Sequence, residues 1–330
     1  MLKNWVKKTL VRTGSLRIAA KLQAPAAAIL MYHSVRANPE QDADWIGPGI
    51  THFTKTFGRQ MELVARRFNP ITLDDILLSL TGERPLPRRA VAITFDDGYL
   101  DNLEAASVLD RIGISAAFYV TIGLIGQEDV PWFCRVRHAF MTTRREEWQS
   151  SGHQRNWRLA TPSARDAALL AAYDFCSPLT AKKQQDSVCT IEQELGVTPV
   201  IPERRLMMTW GEVKTLRRSG HIVGSHTMTH PNTAYIKEDA LRAEIYQSKR
   251  ELESCLGECV GHFSYPHPSL EPQWNEKTLA MTREAGYATA VTTTPGPVRA
   301  NSNPLLLPRI NAGWIEDEFL WNLERTFAHH

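Results

Sequence analysis

Short apolar runs alternate with helix-patterned segments along most of this chain, and no other feature restricts its fold so tightly. Ala26–His33 reads as a buried strand, and Phe53–Phe68 follows with Phe57, Met61, Leu63 and Val64 at helical spacing. Leu73–Leu80 is a second helical stretch with Asp74 and Asp75 in its first turn. The strand Ala90–Phe95, a helix Asn102–Ile112 closed by Gly113 and the strand Ser115–Thr121 repeat the unit. Further on, Thr209-Trp210-Gly211-Glu212 has the pattern of a capping box opening a helix to Arg218. The strand His221–Ser225, a long helix from about 237 to 256 stopped by Gly257, and the strand Gly261–Tyr265 come next. A helix Trp274–Ala285 and strands at Tyr287–Thr292 and Leu305–Ile310 complete the series. Such alternation predicts parallel strands joined by right-handed crossovers, and about seven units predict a distorted (β/α)7 barrel. Residues 132–205 interrupt the series with polar, helix-patterned sequence and no clear strand, and are expected to form a helical insertion.

In a barrel of this kind, groups at the C-terminal ends of strands face one another. Asp96 and Asp97 end the apolar run Ala90–Phe95, and Gly98 follows them. His226 and His230 follow the run ending at Ser225, with a spacing of four that one helical turn would bring to one face. His33 and Tyr265 stand at comparable ends. One Asp with two His is a donor set for a catalytic divalent metal that keeps an open position. The other Asp is then left for proton transfer.

Composition removes several function classes. In 330 residues, 43% are apolar and 22% charged, as in a soluble globular protein, and the net charge of +2 gives no argument for nucleic acid. No apolar run reaches the length needed to span a bilayer, and no phosphate-binding glycine fingerprint is present. Five cysteines at irregular spacing do not make a disulfide framework. Residues 1–25 differ from the rest. Lys3, Lys7, Lys8, Arg12, Arg17 and Lys21 alternate with Leu2, Trp5, Val6, Leu10, Leu16 and Ile18. This pattern is expected to form a basic amphipathic segment, either resting on an anionic membrane face or simply solvated. Charges break it too often for a secretory signal, so the expected location is cytoplasmic, either free or at the inner face of the membrane.

Two motifs carry a resemblance. Thr94-Phe95-Asp96-Asp97-Gly98 and His226-Thr227-Met228-Thr229-His230 resemble the first two motifs of the polysaccharide deacetylases, carbohydrate esterase family four or the NodB-homology family. Leu30-Met31-Tyr32-His33-Ser34-Val35, Phe263-Ser264-Tyr265-Pro266 and Leu307-Pro308-Arg309-Ile310 extend the likeness over about 26–313. The resemblance implies a NodB-homology barrel over 26–330 that removes N-acetyl groups from an amino sugar in a polysaccharide or lipid-linked glycan precursor. It implies Asp96 as general base, Asp97, His226 and His230 as metal ligands, and a backbone N–H near Tyr265 as oxyanion donor. Zinc is the expected ion, with cobalt, nickel and manganese as alternatives.

Two positions depart from the family pattern. Where many members carry an Arg that restrains the base, this chain has Ser264, and Arg309 is expected to take that role by pairing with Asp96. No late Leu-x-His motif supplies a proton donor, which leaves His33, His267 or a water. His33, Tyr265 and Trp132 are expected to contact substrate, with Trp210, Trp274 and Trp314 as other tryptophans able to stack on a sugar. Release of formate from a lipid-linked formamido sugar, and a carbohydrate-binding relative without turnover, are the competing expectations.

Overall fold

The computed structural model describes residues 10, 13, 15–21, 23–127 and 130–328. In chain order the strands are β1 (Ala27–Tyr32), β2 (Ser34–Arg36), β3 (Thr51–Phe53), β4 (Asn69–Pro70), β5 (Ala90–Phe95) and β6 (Ala117–Val120). They continue with β7 (Glu147–Ser150), β8 (Arg155–Arg158), β9 (Ile222–Ser225), β10 (His262–Ser264), β11 (Thr289–Val291) and β12 (Ile310–Asn311). The main sheet runs β11-β10-β9-β6-β5-β1-β12, with β4 beside β5, and every one of its pairings is parallel. It curls into the expected (β/α) barrel with helices outside.

The strand period of two explains both faces of the curl. Ala27, Ile29, Ala90, Ala92, Ala117, Tyr119, Ile222 and Val291 form one apolar cluster inside the barrel. Ala28, Leu30, Val91, Ile93, Phe95, Phe118, Val120 and Phe263 form another against the surrounding helices. The inner set is small because the barrel is narrow. At Gly224 an added Cβ would lie 2.5 Å from the Tyr119 ring, so that ring fills the bore only because residue 224 has no side chain.

One expected strand is two half-strands. The segment 305–307 pairs with β11, Leu307 N–H donating to Ala290 O at 2.8 Å and Thr292 N–H to Leu307 O at 2.9 Å. After Pro308 and Arg309 the chain crosses to β1, where Ile310 stands opposite Leu30. This switch closes the sheet on itself and leaves Arg309 at the seam.

The insertion has its own core. Helices Trp132–Thr142, Pro162–Cys176 and Ala181–Leu195 bury Trp132, Val136, Phe140, Trp148, Leu169 and Val188 together. The expectation of no strand here is corrected: β7 and β8 form an antiparallel hairpin with Trp148 opposite Trp157. Its strands are four residues long and mostly polar outward, too short to display a period. Of the leading segment, the described helix Ser15–Lys21 packs on the last helix, Glu316–Ala328. Most of the remaining basic amphipathic stretch, including Lys3, Lys7, Lys8 and Arg12, lies outside the described residues. No helix among the described residues is long and apolar enough to cross a membrane.

Candidate active site

Along β5 the inward positions are Ala90, Ala92 and Thr94, and the next in phase is Asp96. The strand therefore delivers the Asp96 carboxylate into the mouth of the barrel, its N–H tied to Tyr32 O at 3.1 Å. Asp97 should then point outward toward the helices, yet it does not. Its φ of 77° turns the backbone into the left-handed region and redirects the side chain toward β9. A non-glycine residue there costs about 1–3 kcal/mol, a strain that the surrounding structure must hold in place.

The Asp96 carboxylate meets Arg309 in a two-pronged ion pair, Nη1 to Oδ1 at 2.8 Å and Nη2 to Oδ2 at 2.6 Å. The remaining guanidinium donors reach Thr292 O (3.0 Å), Thr94 Oγ1 (3.3 Å) and Ser264 Oγ (3.2 Å). All five N–H groups of this buried arginine are thus engaged. Ser264, small at the position where an arginine was missed, accepts one of them. Burial pushes the Asp96 carboxyl up, but the charges of Arg309 and His226 and the Arg309 bonds outweigh it, so Asp96 stays below the usual carboxylate range.

Asp97, His226 and His230 converge, with donor atoms all within 4.8 Å of one another. Both His226 Nε2 (3.5 Å) and His230 Nε2 (3.3 Å) face Asp97 Oδ1. His226 Nδ1 lies 2.8 Å from Ser264 O. A carbonyl can only accept, so Nδ1 carries a proton and Nε2 is the atom turned toward Asp97. Burial lowers the His230 pKa despite its bonds to Asp97, which favours a neutral ring there. Desolvation raises Asp97, but the two histidines hold it well below its ordinary value. Two imidazoles and an ionised carboxylate, all buried, are a donor set that fits a divalent cation of the zinc type.

The histidine pair does not sit on a helical turn, contrary to expectation. Residues 226–230 form a loop in which Thr227 (φ 68°) and His230 (φ 58°) are both left-handed. Long-range contacts fix it. Ile122 N–H donates to Thr227 O and Gly123 N–H to Met228 O, both at 2.9 Å, and any Cβ on Gly123 would lie 2.5 Å from that carbonyl. Thr227 Oγ1 accepts the His230 N–H at 3.1 Å.

Sequence reading missed the main support of this loop, Glu244. Only 3% exposed, its carboxylate accepts the N–H groups of Met228 (2.7 Å) and Thr229 (2.9 Å) and the Thr229 hydroxyl (2.5 Å). It lies in a π-helical turn, Ala243–Gln247, inserted between helices Glu238–Arg242 and Ser248–Leu256. Such turns commonly mark functional positions, but their side-chain pattern cannot be told from α-helix in sequence.

One pocket of about 310 Å³ contains Asp96, Asp97, His226, His230, His33, Tyr265 and His267. His33 acts electrostatically on both Asp96 and Asp97. Phe133 and Tyr173 from the insertion line the same pocket, so the insertion is a wall of the site. Trp132 is corrected as a sugar platform. It is 2% exposed within the insertion core, where its indole N–H reaches His230 O at 3.4 Å. Its neighbour Phe133 takes the pocket position, 4.8 Å from the His230 ring. Tyr265 is also committed elsewhere: its hydroxyl donates to Leu305 O and its N–H to Val291 O, both at 3.2 Å. Pro266 has no N–H, so the expected donor near Tyr265 falls on the N–H of His267, which takes no backbone partner among the described residues. His52 also lines the pocket, a buried ring whose pKa desolvation lowers to about 4.

Residues 172–290 match the family model of the polysaccharide deacetylases, a span that includes both histidines and Glu244. Over that span the chain is similar to the polysaccharide deacetylase family. A curated relative, YxkH of Bacillus subtilis, whose name places it among the polysaccharide deacetylases, is 22% identical over 88% of this chain and 73% of its own length. Among solved structures, the Streptococcus pyogenes deacetylase PplD, in complex with acetate, is similar over 92% of this chain and 99% of its own, with a TM-score of 0.59 at 18% identity. IcaB from Ammonifex degensii covers 93% of this chain and 99% of its own (TM-score 0.56, 15% identity). A de-N-acetylase from Aggregatibacter actinomycetemcomitans covers 90% and 99% (TM-score 0.57, 13% identity). At these identities the structural likenesses speak for the fold.

Proposed function

We propose that the protein is a metal-dependent hydrolase that removes an N-acetyl group from an amino sugar of a glycan or lipid-linked glycan precursor. The observation that carries this reading is an ionised carboxylate, Asp96, clamped by Arg309 beside the donor set Asp97, His226 and His230 in one pocket. Asp97, His226 and His230 would hold the ion, which when bound supplies positive charge to polarise an acyl carbonyl and to acidify a water. Zinc suits the donors first, with cobalt, nickel or manganese as alternatives.

The chain's own groups account for the rest. Asp96 accepts the proton of the attacking water, and Arg309 keeps it ionised and aimed. The His267 N–H is the free donor beside Tyr265 for charge developing on the acyl oxygen. His33, lining the pocket and coupled to both carboxylates, donates a proton to the departing amine. Phe133 and Tyr173 exclude water on the insertion side. The basic residues Lys3, Lys7 and Lys8 support a substrate handled at the inner, anionic face of a membrane.

The test is metal analysis of the purified protein together with an acetate-release screen on short amino-sugar oligomers. Acetate release that EDTA abolishes and zinc restores is the expected result. Turnover that survives both chelation and Asp96→Asn would overturn the reading, and formate in place of acetate would move it to a formamido sugar.

A further inference from the structure

We infer that Trp314 is a preformed stacking platform for the sugar unit next to the one being deacetylated, so that the substrate is an oligomer of pyranose rings. This deepens the proposed function and rests on it. Trp314 lines the pocket that holds Asp96 and His226, yet its residue is 45% exposed, which places it at the rim. One side of the indole lies on the His52 ring, with centroids 5.6 Å apart and planes 8° from parallel.

The ring is also locked. Its N–H donates to Thr51 O at 3.2 Å, and the Trp314 backbone N–H donates to Glu318 Oε2 at 3.2 Å. The preceding residue, Gly313, offers its carbonyl to His52 Nε2 (3.1 Å) and Gln60 Nε2 (2.9 Å). An indole whose only polar atom is already satisfied can offer a ligand nothing but its face. A large exposed aromatic already held in one orientation has lost its side-chain entropy before a ligand arrives, so a flat apolar partner can stack on it without that cost. The C–H face of a pyranose is such a partner, and its hydroxyl edge needs polar groups close by. Asn311 supplies one. It lines the same pocket, and its side-chain amide makes no hydrogen bond among the described residues. Ile315, 61% exposed, extends the apolar surface beyond the indole.

The experiment compares N-acetylglucosamine with its trimer. Binding is followed by calorimetry on the zinc-loaded Asp96→Asn protein, with and without Trp314→Ala or Trp314→Phe, and acetate release is followed on the parent. The expected result is that Trp314→Ala lowers the preference for trimer over monomer about tenfold and raises KM for the trimer far more than it lowers kcat, with Trp314→Phe recovering most of the loss. An unchanged preference in Trp314→Ala overturns the inference, as does a loss that appears on anionic phospholipid vesicles and not on the trimer. Trimer binding that depends on Trp314 without acetate release would keep the platform and remove the deacetylase reading.

Discussion

The proposed base and the candidate metal donors stand in one pocket but are held in opposite ways. Asp96 is the last inward residue of a strand buried along its whole length, so the sheet ladder itself aims it. His226 and His230 sit on a loop with two left-handed residues, pinned by Glu244, Gly123 and the indole of Trp132. The strand end needs one special partner, Arg309, to set its charge. The loop needs several partners merely to keep its shape. Substitutions near Asp96 should therefore change chemistry and pH dependence, while substitutions around the loop should change metal affinity.

The largest effect tests the strand side. Asp96→Asn should lower kcat by about 10²–10⁴-fold while leaving stoichiometric metal binding intact, read by single-turnover kinetics and metal analysis. Loss of the metal instead would mean that Asp96 belongs with the donors.

Next, Arg309→Met removes the charge that offsets burial of Asp96. The Asp96 pKa should then rise, moving the acid limb of kcat/KM to higher pH, and stability should fall by about 3–5 kcal/mol because a buried charge loses its partner. In the parent the sign is opposite. Asp96 and Asp97 titrate below their unfolded values, so their stabilisation is present above about pH 4 and fades as pH falls through their folded values. Denaturant titrations at several pH values check both statements, and an unmoved acid limb in Arg309→Met would break the assignment of Arg309.

On the loop side, Glu244→Gln replaces an acceptor of three hydrogen bonds. Metal affinity is expected to weaken about 10–100-fold with the acid limb unmoved, measured by competition with a chromophoric chelator. A shifted acid limb with normal affinity would reverse the contrast drawn here. The smallest effect belongs to Trp132→Phe, which keeps the ring in the insertion core and removes one long hydrogen bond to His230 O, costing about 0.5–1.5 kcal/mol. Its metal affinity should fall less than that of Glu244→Gln.

The same contrast explains what the sequence could disclose. The barrel was legible because alternating strand and helix patterns survive in a single chain, and Asp96 and Asp97 were legible because carboxylates ending an apolar run are conspicuous. The pairing of Arg309 with Asp96 was open to inference because Ser264 leaves a gap in charge that a nearby arginine can fill. Glu244 was hidden, since a glutamate in an amphipathic helix looks solvated and a π turn leaves no residue signature. Trp132 and Phe133 are neighbours with aromatic side chains, and only the packing of the insertion decides which one enters the pocket. The left-handed turns at Asp97, Thr227 and His230 had no signal either, because glycine or asparagine would be the usual marker there.

The seam at Arg309 ties folding to competence in time as well as in space. Residues 305–311 close the barrel and carry the arginine that charges the base, and they are made after nearly all the rest of the barrel. Asp97, His226 and His230 all precede that segment, so they are synthesised before the counter-ion of Asp96. Under the proposed function, the donors for the cation would thus exist before the group that keeps the base charged, and hydrolysis would begin only with the final stitch.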